Sequence, residues 1–235
     1  GRLCRFAGNF YWQTRLSPDL SVQTCYKTRA ETEDPVEDRS RMTDHWDHRE
    51  IRRPATLTMG LTGSAGVYAG WGRTAAHGAG GFTLYRPRHW ALRGTGLGYG
   101  DVLGREARIF AYEVDGVEYV MRHGLPFAAP EAALAGPLEI IGMAPATTLA
   151  HSEGAHDRDP FIADEDAVEI AMSLFGRVDD ETLARVTHGN GCMAEYRRGK
   201  GGIFNAGSCE WVAGLIARDR AVETVTRNVL LGDWG

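Results

Sequence analysis

Ile203-Phe204-Asn205-Ala206-Gly207-Ser208-Cys209-Glu210-Trp211 is the stretch that decides the fold class. It reads as a buried strand that turns at Gly207, with Ser208 capping a helix that carries Trp211, Val212 and Leu215. Strand, turn and helix in that order are the unit of an α/β protein. Downstream, Val222, Val225 and Val229 recur at helical spacing with Gly232 after them, which predicts a last helix. Upstream, a short helix is expected from Glu181 to Val186. Before it, Asp164 can cap a helix whose Ala167, Val168, Ala171, Met172 and Phe175 form one stripe, closed by Gly176.

Further toward the N-terminus the pattern turns to strands. Leu138-Glu139-Ile140-Ile141-Gly142-Met143 reads as one. Phe110-Ala111-Tyr112-Glu113-Val114 and Val117-Glu118-Tyr119-Val120-Met121 flank Asp115-Gly116, the dipeptide of a type I′ hairpin turn, which would set Glu113 opposite Glu118 on a solvated face. From Leu57 to Pro87 the only formal charges are Arg73 and Arg86, and glycines divide apolar pieces such as Thr56-Leu57-Thr58-Met59 and Phe82-Thr83-Leu84-Tyr85, which predicts short strands joined by turns. From Arg29 to Arg53, by contrast, more than half the residues are charged, the composition of a solvated loop or lid. The expected organisation is therefore an opening strand and ligand loop over 1–28, a charged loop over 29–55, a β-rich region over 56–150, and helices with a strand completing the core over 151–235. No internal repeat or low-complexity segment interrupts it.

With 235 residues the chain can bury a sizeable core without staples. No apolar run reaches the roughly 18 residues of a membrane helix, and no signal peptide opens the sequence. A net charge of −5 with dispersed arginines argues against nucleic acid as a partner. Cys4, Cys25, Cys192 and Cys209 lack paired spacing and read as free thiols of a reducing compartment, so the cytoplasm is expected. The sequence opens on strand-like Gly1-Arg2-Leu3-Cys4 without an initiator Met, the start expected of the rear part of something larger.

Asp44-His45-Trp46-Asp47-His48-Arg49-Glu50 holds two imidazoles and three carboxylates in seven residues. Such density suits a metal or an acid/base pair, and equally a polar loop that only hydrogen-bonds to water. His151-Ser152-Glu153-Gly154-Ala155-His156-Asp157 repeats the theme with flexible spacers and reads as a surface loop. Cys209 at its strand-to-helix turn is a candidate nucleophile, with His188 the nearby histidine, although no glycine follows in the manner of a nucleophile elbow. Gly8-Asn9-Phe10-Tyr11-Trp12 follows the opening strand, where α/β folds place ligands, although aromatic residues there usually pack. Gly94-Thr95-Gly96-Leu97-Gly98-Tyr99-Gly100 mimics a phosphate loop but lacks the flanking strand and helix, so a series of turns is expected.

Taken in order, Gly1-Arg2-Leu3, Gly8-Asn9-Phe10-Tyr11-Trp12-Gln13, Cys25-Tyr26-Lys27, His89-Trp90 with Gly94-Thr95-Gly96-Leu97, Tyr112-Glu113-Val114-Asp115-Gly116, Asn205 to Trp211, and Thr226-Arg227-Asn228-Val229-Leu230 resemble the C-terminal region of the N,N-dimethylformamidase large (beta) subunit family. The resemblance spans nearly the whole chain. It implies an amide hydrolase on a glutamine-amidotransferase-like (flavodoxin-like) α/β core, lacking its N-terminal half and carrying an added β-rich layer. It also implies mononuclear non-haem iron, ferric, held by two tyrosines and a glutamate with a histidine nearby. Residue by residue, Tyr11 looks like one tyrosinate ligand, Glu50 like the carboxylate ligand and His48 like the catalytic histidine. The other tyrosine has no counterpart here, which implies that a missing N-terminal part or a separate subunit supplies it within a homo- or hetero-oligomer.

The expected substrate is a small amide. Glu195, Lys200, Asn205 and Glu210 could orient it, and nothing in the sequence chooses among them. Two other readings stay open. One is a non-catalytic binding or assembly module of the same family; the other is a Cys209 thiol hydrolase.

Overall fold

The computed structural model describes residues 1–8, 12–66, 80–111, 113–147, 164–232 and 234. The strands are β1 (Arg2–Arg5), β2 (Arg15–Leu16), β3 (Gln23–Thr24), β4 (Phe82–Leu84), β5 (Val102–Leu103), β6 (Tyr119–Arg122), β7 (Leu125–Ala128), β8 (Leu138–Thr147), β9 (His188–Arg198) and β10 (Gly201–Asn205). The α-helices are α1 (Ala30–Glu33), α2 (Thr56–Met59), α3 (Gly63–Gly66), α4 (Asp164–Phe175), α5 (Asp180–Thr187), α6 (Trp211–Ile216) and α7 (Arg220–Leu231). Six strands form one sheet in the order β1-β10-β9-β8-β4-β5, and the pairs β2-β3 and β6-β7 stand apart. The fold is mixed α/β with the main sheet curled into a half-barrel.

Within that sheet β1 runs parallel to β10 from Arg2↔Gly202 to Arg5↔Asn205, and every other ladder is antiparallel. Gly207, with φ +61°, turns the chain out of β10 as expected. Ser208 does not cap α6, however: its hydroxyl donates to the Ile109 carbonyl at 2.7 Å. The C-terminal helix forms where the valine spacing places it. Asp219 caps it by accepting from Ala221 and Val222 N–H, and Val222, Val225 and Val229 pack on Phe204 and Trp211 in the main core. Helix α4 also forms and ends at Gly176, φ +69°, but only Ala167 and Ala171 of its stripe are buried, while Val168 and Met172 are exposed.

Four local expectations fail for physical reasons. Thr56–Met59 is a helical turn closed by left-handed Gly60, not a strand. Asp115-Gly116 makes no hairpin: Val114 bridges Ser208, Gly116 bridges Thr62, and Asp115 exchanges backbone bonds with Gly207 and Cys192. A Cβ on Gly116 would lie 2.0 Å from the Asn190 carbonyl oxygen, so this glycine serves a close backbone approach in the interior. The hairpin turn forms instead at His123-Gly124, both at positive φ, joining β6 to β7. Glu118 accordingly pairs with Arg185 at 3.1 Å rather than facing Glu113.

The charged segment is likewise not a solvated loop. Its arginines and carboxylates rim a small core of Ala30, Met42 and Ile51, and Thr43, Asp44, His45 and His48 are buried beside it.

Candidate functional site

The segment just before β2 and the segment from Asp44 to Glu50 are stitched together by the backbone. Trp12 forms a bridge with His45, Gln13 N–H donates to the Asp44 carbonyl at 2.7 Å, and the Gln13 amide donates to the Ser40 and Met42 carbonyls. Asp34 anchors the other side, accepting from Thr43 N–H and hydroxyl at 2.9 Å each and from the Arg15 guanidinium. The rings of Trp12, His45 and His48 follow one another at 6.2 and 6.0 Å.

His48 sits at the centre of this loop. Its Nδ1 accepts the Glu50 backbone N–H at 3.1 Å, which leaves the proton of the neutral ring on Nε2. Nε2 is buried and has no hydrogen-bond partner among the described residues; the Glu31 carboxylate lies 3.9 Å away. Burial, then the nearby Arg49 charge, pushes the His48 imidazole below its ordinary range. His48 is therefore a neutral ring with an N–H to give.

Its neighbours are held differently. The His45 Nε2 meets the Ser173 hydroxyl at 2.7 Å and the Asp44 Oδ1 at 3.7 Å, while burial pushes His45 down to about 3. Serine, histidine and aspartate are thus all present, but both partners converge on one ring nitrogen. The arrangement is not a nucleophilic triad, because among the described residues no carboxylate orients the far nitrogen and a ring pushed down to about 3 is too weak a base to take the serine proton. Burial raises Asp44 to about 6, and its Oδ2 is buried without a partner. A free N–H and a free carboxylate oxygen, both buried in one short loop, carry a desolvation cost that an ordinary core does not retain.

Of the residues expected from the sequence, Tyr11 lies outside the described residues, as does the His151–Asp157 cluster. The Trp12↔His45 bridge nonetheless brings the flank of Tyr11 against the His48 loop. Glu50 is half-buried and holds His48 through its backbone. Among the described residues no three His, Cys, Asp or Glu side chains are grouped to hold a metal. The fixed tautomer of His48 fits a hydrogen-bond donor rather than a metal ligand.

The four possible orienting residues also separate. Glu195 is saturated by His89 Nε2 at 2.9 Å, Trp90 Nε1 at 2.5 Å and the Arg197 guanidinium, and Lys200 is exposed on a turn. Asn205 is buried at the carboxyl end of β10, paired in register with Arg5 on the way to Gly8. Its Oδ1 accepts from Gly207 N–H and its Nδ2 has no partner. Glu210 is half-buried at the start of α6, its backbone N–H donating to the Ser208 hydroxyl. The thiol reading loses ground here: burial pushes Cys209 up to about 11, and its Sγ points to the Ala111 carbonyl at 3.8 Å. The glycines from Gly94 to Gly100 form turns, three of them at positive φ, as expected.

Of two cavities in the structure, one touches the loop and the other lies apart from it, and neither is lined by His48. One, of about 580 Å³, has Asp47 in its lining, and Asp47 accepts hydrogen bonds from Thr62, Ser64 and the Ala55 N–H. The other, about 710 Å³, is lined by Tyr85, Arg86, His89, Trp90, Glu139 and Glu195 among others. Sequence reasoning missed Glu31, Asp44 as a buried acid, and Ser173. The only signal for Ser173 was a small polar residue within an otherwise amphipathic helix.

The family described as N,N-dimethylformamidase beta subunit-like, C-terminal, matches residues 1–223. No curated protein and no solved structure matches the chain.

Proposed function

Because the chain belongs to the N,N-dimethylformamidase beta subunit-like, C-terminal family, we propose that it is part of a multi-subunit hydrolase of small linear amides, with His48 as the catalytic histidine that hydrogen-bonds the reacting amide. The observation that carries this reading is the buried Nε2–H of His48, fixed in direction by the Glu50 N–H and left without an acceptor. An N–H preset in this way stabilises charge developing on an amide oxygen without reorganising at the moment of reaction. Asn205 Nδ2 can orient the substrate carbonyl.

Non-haem iron, held by Tyr11, Glu50 and a second phenolate from a partner subunit or from sequence outside these 235 residues, supplies the Lewis acidity that such a reaction needs. The parallel pair β1-β10, followed by α6 and α7, supports a glutamine-amidotransferase-like core, with the antiparallel strands as its added layer. No helix among the described residues is long and apolar enough to cross a membrane, and we place the assembly in the cytoplasm. The binding-module reading draws on the 710 Å³ cavity, which lies apart from His48.

The test is iron content, visible spectrum and amine release from a panel of formamides, measured on the whole assembly. Near-stoichiometric iron with a tyrosinate charge-transfer band is expected, the band weakened by Tyr11→Phe and the metal lost in Glu50→Ala. A colourless, metal-free assembly that hydrolyses no amide would sink the proposal and leave the binding module ahead.

A further inference from the structure

Glu31 belongs to no motif of the sequence, yet it is the carboxylate closest to the free N–H of His48. It is held from both ends. Its backbone carbonyl accepts from Arg39 at 2.8 Å, and its Oε1 takes the Arg49 guanidinium. Arg49 is itself fixed, donating to the Met172 and Ser173 carbonyls at the end of α4, while its own backbone N–H donates to Ser173. Ala30, the preceding residue, is buried against Met42 and Ile51. The remaining oxygen, Oε2, faces His48 Nε2 at 3.9 Å.

That distance matters because a hydrogen bond of this kind spans roughly 2.7–3.2 Å. At 3.9 Å the carboxylate attracts the N–H and orients the ring without consuming the donor. At a bonding distance it would saturate His48, as Glu195 saturates His89 at 2.9 Å. We propose that Glu31 is a positioning residue for His48, fixed by Arg49 just beyond hydrogen-bond reach so that the ring is aimed but its Nε2–H stays available. The inference rests on the catalytic reading of His48 above. It adds a second carboxylate to the site and makes the end of α4, through Arg49, part of its support.

The experiment uses the complete, iron-loaded assembly and the variant Glu31→Gln, which keeps the side-chain shape and an acceptor for Arg49 but removes the charge. Loss of an outer partner of this type lowers kcat by about 10- to 100-fold, and we expect that loss with KM and iron content unchanged. In a His48→Gln background the same substitution should change nothing further, since a residue that acts only through His48 couples to it fully. A cryo-electron microscopy map of the Glu31→Gln assembly should show the His48 ring turned away from the Glu50 N–H.

The proposal is overturned by an equal loss in both backgrounds, by iron lost from Glu31→Gln, or by an unmoved His48 ring. Failure of the parent reading looks different. There His48→Gln alone keeps full activity, and the ring position in the map still decides whether Glu31 sets it.

Discussion

His48 and His89 are built the same way and end differently. In each, Nδ1 accepts the backbone N–H two residues on, from Glu50 at 3.1 Å and from Ala91 at 3.2 Å, so both neutral rings carry their proton on Nε2. Both are buried. At His89 the Nε2–H is consumed by Glu195, whose carboxylate also takes Trp90 and Arg197. Burial pushes that carboxyl up, yet the bonds from His89 and Trp90 outweigh it and hold it below its usual range. At His48 the corresponding carboxylate stops 3.9 Å away. The difference teaches that residue type and local turn do not separate a histidine whose N–H is spent from one whose N–H is available. What separates them is whether the second nitrogen has been satisfied.

Exchanging the same residue at the two sites is the sharpest way to break the comparison. His48→Gln should lower kcat by about 10²- to 10⁴-fold while leaving the urea midpoint in place; His89→Gln should do the reverse. If His89→Gln is as damaging to catalysis as His48→Gln, the distinction fails. Next in size, Glu195→Ala strands the His89 and Trp90 donors in the interior. It should cost about 3 kcal/mol, read as a lower midpoint with an unchanged slope, and a variant as stable as wild type would show that the corner is not load-sharing.

The smallest effect sharpens the His48 side. Asp44 is raised from 3.8 to about 6 in the fold, so its protonated form favours folding: the stability it contributes is complete below about 3.8 and lost as pH rises through 6. Asp44→Asn should thus stabilise the protein at pH 7.5 by about 2 kcal/mol, with the gain gone near pH 4. His45, lowered from 6.5 to about 3, acts in the opposite sense, contributing stability above 6.5 that is lost as pH falls toward 3. Asp44→Asn should therefore lose stability more steeply than wild type between pH 7 and pH 4. Urea midpoints at several pH values check this, and a gap that does not close in acid would remove Asp44 as its cause.

The elements with a clean period were legible. Valines at Val222, Val225 and Val229, Glu181 to Val186, Phe82 to Leu84 and Leu138 to Met143 all form the structures their spacing predicts. The longest strand, β9, was not. His188-Gly189-Asn190-Gly191-Cys192-Met193-Ala194 offers poor strand formers and no alternation, because Asn190 to Tyr196 is buried on both faces and the glycines admit neighbouring backbone and the Phe110 ring. Asp115-Gly116 misled for a related reason, since a residue without a Cβ suits a turn and a crowded interior equally. At the site, the density of ionisable groups from Asp44 to Glu50 was visible. Arg49 reaching across more than a hundred residues to α4, and Glu31 facing His48, are tertiary facts with no local signature.

The pairing of β1 with β10 has a kinetic meaning. Arg2 finds its ladder partner in Gly202, two hundred residues later, so at a synthesis rate of roughly 5–20 residues per second the first strand waits on the order of tens of seconds for its place in the sheet. Closing so long a loop adds little to the final entropy bill, about 0.6 kcal/mol per doubling of length, but it orders events. The segment leading from Arg5 toward Trp12 therefore takes its place in the sheet only after β10 has been made, whereas the Trp12↔His45 bridge, 33 residues apart in sequence, can form long before.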